Sequence, residues 1–217
     1  MMGLFSRRTS VARRRLIWQP EHVVNASGAA FAARTYLEQT DVRQILSRVA
    51  GGAKVAAACE VGAGFGRMTV VLTEFAHHVV GLEREHHLVA EARRLWPAIG
   101  FAQVETLASL PIGTATCDLV LTFTVLQHLR ETVVADAVKE ITRILKPGGH
   151  VLACEETDPT VGGNADESRE IFTQGRPVSG YAQLFPDLEL LDTRPRRVER
   201  TYASDDVGTY MLFRKRA

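Results

Sequence analysis

The stretch VAAACEVGAGFGR, residues 55–67, decides the fold. Its first seven residues are apolar apart from Glu60, which predicts a buried β-strand from Val55 to Val61. The glycines that follow allow a tight turn and a close approach of the backbone to a ligand. Apolar residues at helical spacing then run from Arg67 to Phe75. A buried strand, a glycine-rich turn and a helix, in that order, form the opening unit of a doubly wound α/β sheet.

The alternation of strand and helix continues beyond this stretch. Apolar patterning predicts further strands at 78–83, 99–105, 118–123 and 150–155. It predicts helices at 28–50 after the cap Ser27, at 85–95 before Pro97, and at 131–145 before the terminator Pro147-Gly148-Gly149. A short helix at 179–185 and a closing pair of strands at 188–192 and 207–214 follow, and Pro195 either breaks the first of these or places it at an edge. Such an order predicts a parallel sheet with helices on both faces.

The composition is that of one globular domain. The 217 residues are 46% hydrophobic and 24% charged, and 26 basic against 25 acidic residues give a formal net charge of +1. This balance argues against a protein that holds nucleic acid by charge alone. No apolar run approaches the ~20 residues of a membrane span. Three widely spaced cysteines are incompatible with a disulfide scaffold.

The basic residues are concentrated at the start of the chain. Residues 1–20 contain five arginines and no acid. A twin-arginine export signal needs an apolar stretch after Arg7 and Arg8, whereas three more arginines come first. We favour a partly disordered basic tail, with an organellar transit peptide as the alternative, and we expect a cytoplasmic protein.

The spacing of the glycines distinguishes between ligands. A dinucleotide site uses G-x-G-x-x-G, with the pyrophosphate at the N-terminus of the next helix. Here Gly62, Gly64 and Gly66 give G-x-G-x-G, and Arg67 stands where the third glycine of a dinucleotide site belongs. A turn of this kind can also join a strand to a helix without binding any ligand.

The segment Glu60-Val61-Gly62-Ala63-Gly64-Phe65-Gly66 resembles motif I of the class I S-adenosylmethionine-dependent methyltransferases. The resemblance extends to Gly81-Leu82-Glu83-Arg84, to 117–129 and to Leu145-Lys146-Pro147-Gly148-Gly149, and it covers residues 55–156. It implies a Rossmann-like sheet of seven strands with the last strand antiparallel. We accordingly divide the chain into a basic tail and helical cap, 1–50, and a cofactor-binding methyltransferase domain, 51–217, with a loop or lid at 157–180.

The resemblance also implies a cofactor, S-adenosylmethionine, with S-adenosylhomocysteine as product. Glu60 would attract the ammonium of the methionyl part, and Glu83 would accept both ribose hydroxyls. Thr106 and Leu107 stand where the family meets adenine, unless Glu105 serves with a one-residue slip. The predicted cofactor-binding residues are Glu60, Gly62, Ala63, Gly64, Gly66, Arg67, Glu83, Arg84, Thr106, Leu107, Phe123 and Gln127.

His128 is the candidate catalytic base, because it follows the fourth strand at the edge where such sheets bind ligands. The same imidazole could instead hydrogen-bond to the backbone and hold the loop. Glu155, Glu156 and Asp158 follow the fifth strand and could orient an acceptor or bind a metal ion, although acids on a loop are more often only solvated. We predict no metal site. The cysteines in the predicted strands are expected to be buried and unreactive: Cys59, Cys117 and Cys154.

The predicted methyl acceptor is a hydroxyl or amine of a small molecule, with neither membrane nor nucleic acid as partner. Thr122-Phe123-Thr124-Val125 replaces the Asn/Asp-Pro-Pro-Tyr element of relatives that methylate exocyclic amines of bases. One alternative is an RNA methyltransferase that contacts phosphates through the basic head and Arg194, Arg196, Arg197 and Arg200. Another is a non-catalytic partner protein of the same fold. The position of Arg67 disfavours a nicotinamide-dependent oxidoreductase.

Overall fold

One sheet of seven strands organises residues 29–162, 172–196 and 208–216, which are the residues described by this computed structural model. The strands are β1 (Val55–Val61), β2 (Ala76–Glu83), β3 (Gly100–Gln103), β4 (Cys117–Phe123), β5 (Leu145–Glu155), β6 (Leu188–Pro195) and β7 (Thr209–Lys215). The helices are α1 (Ala29–Ala50), α2 (Thr69–Leu72), α3 (His86–Leu95), α4 (Glu131–Ile144) and α5 (Val178–Leu184). The strand order β3-β2-β1-β4-β5-β7-β6 confirms the predicted doubly wound α/β fold.

The strand order reverses at β1, and this reversal positions the site. β1 pairs in parallel with β2 on one side and with β4 on the other, so Glu60 lies between Gly81 and Leu121. Open sheets bind ligands in the crevice beyond the carboxyl ends of strands at such a switch point. The last residues of β2 and β4, Glu83 and Phe123, therefore meet at one edge with the turn that follows β1.

Two apolar cores cover the two faces of the sheet. In β4, Val120 belongs to one core and Leu121 to the other. The first core includes Ile141 of α4, and the second includes Ile45 of α1. Burial on both faces explains why the central strands read in the sequence as continuous apolar runs instead of alternating ones. β7 runs antiparallel to both β5 and β6, which confirms the expected antiparallel ending of the sheet.

The helix predicted at 67–75 is much shorter in the structure. It is the single turn α2 (Thr69–Leu72), because the glycine turn continues through Gly66, whose φ is +84°. The apolar residues of this stretch recur at helical spacing because Met68, Val71 and Leu72 all pack into the core beside α1. They do not form a long helix.

The prediction that Pro147-Gly148-Gly149 ends a helix was wrong in detail. α4 stops at Ile144, and the three residues lie inside β5. The register between β4 and β5 shifts there, from Cys117 opposite Leu145 to Leu119 opposite His150, so the extra residues bulge from the strand. A Cβ on Gly149 would lie 3.0 Å from the carbonyl oxygen of Asp118, which explains the need for glycine at the bulge.

Several sequence predictions concern the end of the sheet and the chain termini. Pro195 ends β6, and β6 is the edge strand that this proline favours. The basic head, Ser27, Arg197 and Arg200 lie outside the described residues. Among the helices that are described, none combines the length and the apolarity needed to cross a membrane.

Candidate active site

A cleft of about 290 Å³ opens at the switch point between β1, β2 and β4. The predicted site residues that line it are Gly62, Gly64, Glu83, Arg84, Thr106, Leu107, Phe123 and His128. Further lining residues, which the sequence did not single out as ligand contacts, are Leu88, Thr124, Val125, Leu129 and Val133. The cleft is therefore polar along the ends of β1 and β2 and mainly apolar along the segment after β4.

The glycine turn after β1 forms one side of the cleft. Gly62 and Gly64 have φ angles of +76° and +56°, a region that residues with a Cβ rarely adopt. A Cβ on Gly62 would lie 2.5 Å from a methyl group of Val125, whereas a Cβ on Gly64 would meet nothing within 4 Å. Gly62 thus permits close packing of the turn, and Gly64 leaves open space beside the cleft.

The N–H groups of this turn already have acceptors within the protein. Gly62 and Ala63 donate to the Leu82 carbonyl oxygen at 2.8 and 2.9 Å, and Gly64 donates to Oε2 of Glu83 at 2.8 Å. A pyrophosphate needs such N–H groups at the start of a helix. Because α2 is only four residues long, the turn fits a ligand that carries no phosphate at this point.

Three backbone N–H groups hold the carboxylate of Glu83 in place. Oε2 accepts from Gly64, while Oε1 accepts from Arg84 at 2.7 Å and from Glu85 at 2.9 Å. Glu83 is 9% exposed and lines the cleft. A carboxylate offers about four lone-pair positions, so Oε2 keeps capacity for a hydroxyl group of a ligand.

The segment after β3 brings both candidates for the adenine contact to the cleft. Glu105, Thr106 and Leu107 all line it. The Thr106 hydroxyl accepts the N–H of Ala108 at 3.1 Å, which stabilises the turn. The exposed Glu105 carboxylate makes no hydrogen bond within the described residues, so it has its full acceptor capacity for an amino group.

Thr124 carries backbone strain at the cleft. Its φ is +54°, in a region that is unfavourable for a β-branched residue. Its N–H donates to the carbonyl oxygen of Cys154 at 2.7 Å, which extends the pairing of β4 with β5. Strain of this kind costs about 1–3 kcal/mol and is concentrated at ligand sites. At Thr124 it turns the chain out of β4 and along the cleft.

Glu155 holds this segment from the neighbouring strand. Its carboxylate accepts the N–H of Val125 at 3.0 Å, the N–H of Gln127 at 3.1 Å and the hydroxyl of Thr122 at 3.2 Å. These N–H groups begin the 3₁₀ turn Leu126–His128. Burial raises the pKa of Glu155 to about 7, and the hydrogen bonds limit that rise.

The expectation that the acids after the fifth strand are solvated was wrong for two of them. Glu155 is 0% and Glu156 is 3% exposed. The Glu156 carboxylate accepts the N–H of Asp158 at 2.8 Å, so it stabilises a turn of the loop. The signal that was missed is position: an acid at the carboxyl end of a central strand is covered by the segments that leave the neighbouring strands.

His128 connects the cleft to the loop at 157–180. Its Nδ1–H donates to the carbonyl oxygen of Phe172 at 2.9 Å, which leaves Nε2 unprotonated in the neutral ring. Nε2 accepts from the Gln127 amide at 3.3 Å, and Oε1 of that amide accepts the N–H of Glu156 at 2.7 Å. Burial lowers the pKa of His128 to about 4. The imidazole is therefore neutral at physiological pH and is held in one tautomer.

Five of the predicted cofactor-binding residues do not line the cleft: Glu60, Ala63, Gly66, Arg67 and Gln127. Glu60 is buried under the turn and accepts the hydroxyl of Thr69, and burial raises its pKa to about 8. Gly66 packs against Trp96 and Phe101, since a Cβ there would come within 2.7 Å of both rings. Glu60 and Gly66 thus shape the turn from behind.

Arg67 belongs to a group of arginines around Glu38 that sequence reasoning missed. The Glu38 carboxylate accepts hydrogen bonds from Arg67, Arg34 and Arg196. Burial alone would raise the pKa of Glu38, but the three guanidinium groups outweigh burial and hold it at about 2. No local pattern reveals this group, because its members come from α1, the glycine turn and the end of β6.

The same group bears on the RNA alternative. The Arg196 side chain is 6% exposed and paired with Glu38, so it is not placed to contact a nucleic-acid backbone. Arg194 is partly buried and lies near Asp192, 3.4 Å away. Of the four arginines considered as phosphate contacts after residue 190, these are the two that the structure describes.

Other candidate residues have ordinary structural surroundings. Cys59, Cys117 and Cys154 are free thiols whose burial confirms that part of the expectation, and burial raises the pKa of each. Tyr181 is fully buried and donates to the carbonyl oxygen of Glu156 at 3.0 Å. Over the described ranges, no cluster of His, Cys, Asp or Glu has the form of a metal site.

The chain is similar in sequence to methyltransferases. Residues 59–153 match the model of a family described as a methyltransferase domain. A Mycolicibacterium smegmatis protein named as an S-adenosylmethionine-dependent methyltransferase is 34% identical over 93 residues, 43% of this chain and 35% of that protein. Phosphoethanolamine N-methyltransferase 1 of Triticum aestivum is 26% identical over 185 residues, 82% of this chain and 36% of that protein. The chain thus spans about a third of the length of these curated relatives.

Solved structures share the fold at low identity. A SAM-dependent methyltransferase of Leishmania major superposes with a TM-score of 0.71 at 17% identity, covering 93% of this chain and 79% of that chain. The [4+2]-cyclase SpnF superposes with a TM-score of 0.64 at 16% identity, covering 82% of this chain and 81% of that chain. Such identities show the fold alone, and the cyclase illustrates that one fold supports more than one chemistry.

Proposed function

We propose that this chain, whose residues 59–153 match a methyltransferase domain, is a class I S-adenosylmethionine-dependent methyltransferase that transfers a methyl group to a hydroxyl or amine of a small molecule. S-adenosylmethionine, the cofactor that the family implies, supplies an electrophilic methyl group when bound. The residues of this chain hold the donor, orient the acceptor and exclude water.

The observation that carries the proposal is the fixed carboxylate of Glu83 beside the open Gly64. The three N–H donors leave Oε2 able to accept a ribose hydroxyl, and nothing lies within 4 Å of the position where a Gly64 side chain would begin. Glu105, Thr106 and Leu107 lie farther along the same cleft and would contact the adenine. These residues fit a nucleoside without a phosphate group.

We propose a less direct role for Glu60 than the sequence suggested. Because its pKa is about 8, it is mostly protonated near neutral pH and would not attract an ammonium group by charge. Its contact with Thr69 instead stabilises the turn that carries Gly62 and Gly64. We propose that the methionyl part is bound by the turn and by the segment after β4, with Glu60 supporting the turn.

The acceptor would lie against the segment after β4, where the cleft is apolar. His128 presents a neutral ring whose Nε2 carries no proton and accepts the Gln127 amide, and we propose that this atom takes the proton of the acceptor when the acceptor replaces that amide. With a pKa of about 4 it is a weak base, which suits an acceptor whose proton need not leave before methyl transfer, such as an amine in its neutral form. Similarity to the wheat phosphoethanolamine N-methyltransferase is consistent with an amine.

The described parts of the 157–180 loop are attached beside the cleft, and we propose that this loop covers the acceptor. Gln174 donates its N–H to the carbonyl oxygen of Gln127 at 2.7 Å. Arg176 donates to the carboxylate of Glu131 at 2.6 Å and to the carbonyl oxygen of Leu129 at 3.3 Å. These contacts place the loop against the segment that carries His128.

Calorimetry with S-adenosylmethionine and S-adenosylhomocysteine tests the proposal. Glu83→Gln keeps one acceptor oxygen but removes the negative charge, and hydrogen bonds to charged groups contribute about 1.5–3 kcal/mol. We expect a 10- to 100-fold loss of affinity for both ligands. Glu91→Gln, on the exposed side of α3, is the matched control and should bind like the native chain. Equal affinities for all three proteins, or no binding by the native chain, would contradict the proposed function.

A further inference from the structure

A cluster of charged residues adjoins the cleft through Phe123. We name it the Glu38 cluster: Arg34, Glu38, Arg67 and Arg196. The guanidinium carbons of Arg67 and Arg196 lie 5.1 and 5.3 Å from the centroid of the Phe123 ring. Phe123 itself lines the cleft, so the cluster lies beside the part of the site assigned to the acceptor.

The cluster gathers three guanidinium groups around one carboxylate. These groups stay charged at any relevant pH, and all three contact Glu38. Other acids act on the cluster through electrostatics: Glu60 acts on Arg67, and Asp41 acts on Tyr210. Guanidinium groups with unused N–H donors can hold a second anionic group beside Glu38.

Hydrogen-bond donors are left over in the cluster. Of the five N–H groups on each guanidinium, Arg67 uses one and Arg196 uses two for Glu38. The others have no acceptor within the described residues. They still reach space open to solvent, since the fully buried side-chain atoms without a partner in the described part of the chain are the hydroxyls of Thr35 and Tyr210.

Those two hydroxyls lie at the same cluster. Thr35 precedes Glu38 by three residues, which places both on one face of α1. Tyr210 is 1% exposed, and its ring meets Phe123 at a centroid distance of 6.1 Å. The charges that act on its hydroxyl include Glu38 and Arg196. A buried phenol without a partner is uncommon and calls for an explanation, and a ligand that supplies a polar atom is one.

We propose that the Glu38 cluster binds an oxyanion, the carboxylate or phosphate group of the methyl acceptor, with the hydroxyl of Tyr210 as an additional donor. This inference rests on the proposed function, since it names the class of acceptor. Arginine suits such a group because its planar fork matches the two oxygens of a carboxylate or phosphate. The acceptor would then extend from the anion at the cluster, past Phe123, to its amine or hydroxyl in the cleft.

The test uses inorganic phosphate and acetate as probes, each titrated into the protein saturated with S-adenosylhomocysteine and followed by amide chemical shifts in NMR spectra. Tyr210→Phe removes only the unpartnered hydroxyl and keeps the ring. Arg34→Gln removes one charge at a position whose side chain is 21% exposed, and its amide N–H can still donate to Glu38. Arg48→Gln is the matched control on the same helix, with a side chain that is 68% exposed.

We expect one of the two probes to bind and to shift the amide signals of the cluster. Its affinity should fall about tenfold in Arg34→Gln and several-fold in Tyr210→Phe, and it should not change in Arg48→Gln. The affinity for S-adenosylhomocysteine should stay the same in all variants. Binding that is absent, or equally strong in every variant, overturns the inference. So does a loss of S-adenosylhomocysteine affinity in Arg34→Gln, because the cluster would then hold the carboxylate of the cofactor. If phosphate binds as expected but S-adenosylhomocysteine does not, the proposed function and the acceptor role fail and the anion site stands.

Discussion

The buried carboxyl of Glu155, which holds the segment beside the cleft, is predicted to make the stability of the folded chain depend on pH. Its pKa rises from an ordinary value of 4.5 to about 7 on folding, because it is buried without a cation. The folded state therefore keeps the proton over a pH range in which the unfolded state has lost it. The contribution of the Glu155 carboxyl to the free energy of unfolding is therefore present in full below about pH 4.5 and is lost as the pH rises through 7.

The size of this loss follows from the pKa difference. A change from 4.5 to about 7 corresponds to about 3 kcal/mol, of which about 2 to 3 kcal/mol falls between pH 5 and pH 8.5. Glu155→Gln removes the titration and preserves the contacts. The amide oxygen can accept the N–H groups of Val125 and Gln127 that now donate to Oε2, and the amide nitrogen can donate to the hydroxyl of Thr122.

Urea unfolding at about pH 5 and about pH 8.5, followed by tryptophan fluorescence, measures the effect. We expect the native chain and Glu155→Gln to differ by less than about 1 kcal/mol at pH 5, with the variant more stable by about 2 to 3 kcal/mol at pH 8.5. Glu189→Gln, an exposed position on the edge strand, should follow the native chain at both pH values. Parallel profiles for the native chain and Glu155→Gln would refute this account of the buried carboxyl.

Three further predictions concern the cleft. Thr124→Gly should raise the free energy of unfolding by about 0.5–1 kcal/mol, because relief of the strain at a φ of +54° outweighs the greater entropy of the unfolded glycine chain. A variant that unfolds in less urea than the native chain would contradict the assigned strain. Gly62→Ala should destabilise by more than about 2 kcal/mol, since its Cβ would lie 2.5 Å from Val125, and Val125→Ala in the same chain should recover part of the loss. His128 should titrate near pH 4 in NMR spectra, and a measured pKa above 6 would mean that the ring is solvated.

The fold was predictable because its signals are local. The buried run 55–61 and the amphipathic helix 131–145 each carry their pattern in consecutive residues, and the observed elements differ from the predicted ones by only one or two residues at most ends. The failures occur where tertiary contacts decide. α2 is short because the glycine turn extends through Gly66, and β5 starts early because a bulge absorbs Pro147-Gly148-Gly149.

The residues of the site also fall into a group that the sequence indicates and a group that it does not. Gly62, Gly64 and Glu83 reach the cleft because strand ends and their turns are placed by sheet register, which the sequence indicates. Glu38 and Glu155 were missed or misjudged, because nothing near them in the sequence reveals that they are buried. Apart from Arg34, which is four residues from Glu38, the partners of these two acids lie 28 to 158 residues away. Contacts over such distances leave no periodicity to detect.

The difference between residues placed by local pattern and residues placed by distant contacts bears on the choice of acceptor. The predicted donor side consists of Gly64, Glu83 and the turn after β3, all fixed by backbone hydrogen bonds at strand ends. The proposed acceptor side consists of side chains from α1, the 3₁₀ turn, the loop near Phe172 and the end of β6, brought together by ion pairs and ring contacts. Phe123 belongs to both sides, because it lines the cleft and lies against Arg67 and Arg196. If the proposed anion site is correct, substitutions on the acceptor side that spare Phe123 would change which anion is recognised without moving Glu83, whereas loss of the Phe123 ring would disturb both sides together.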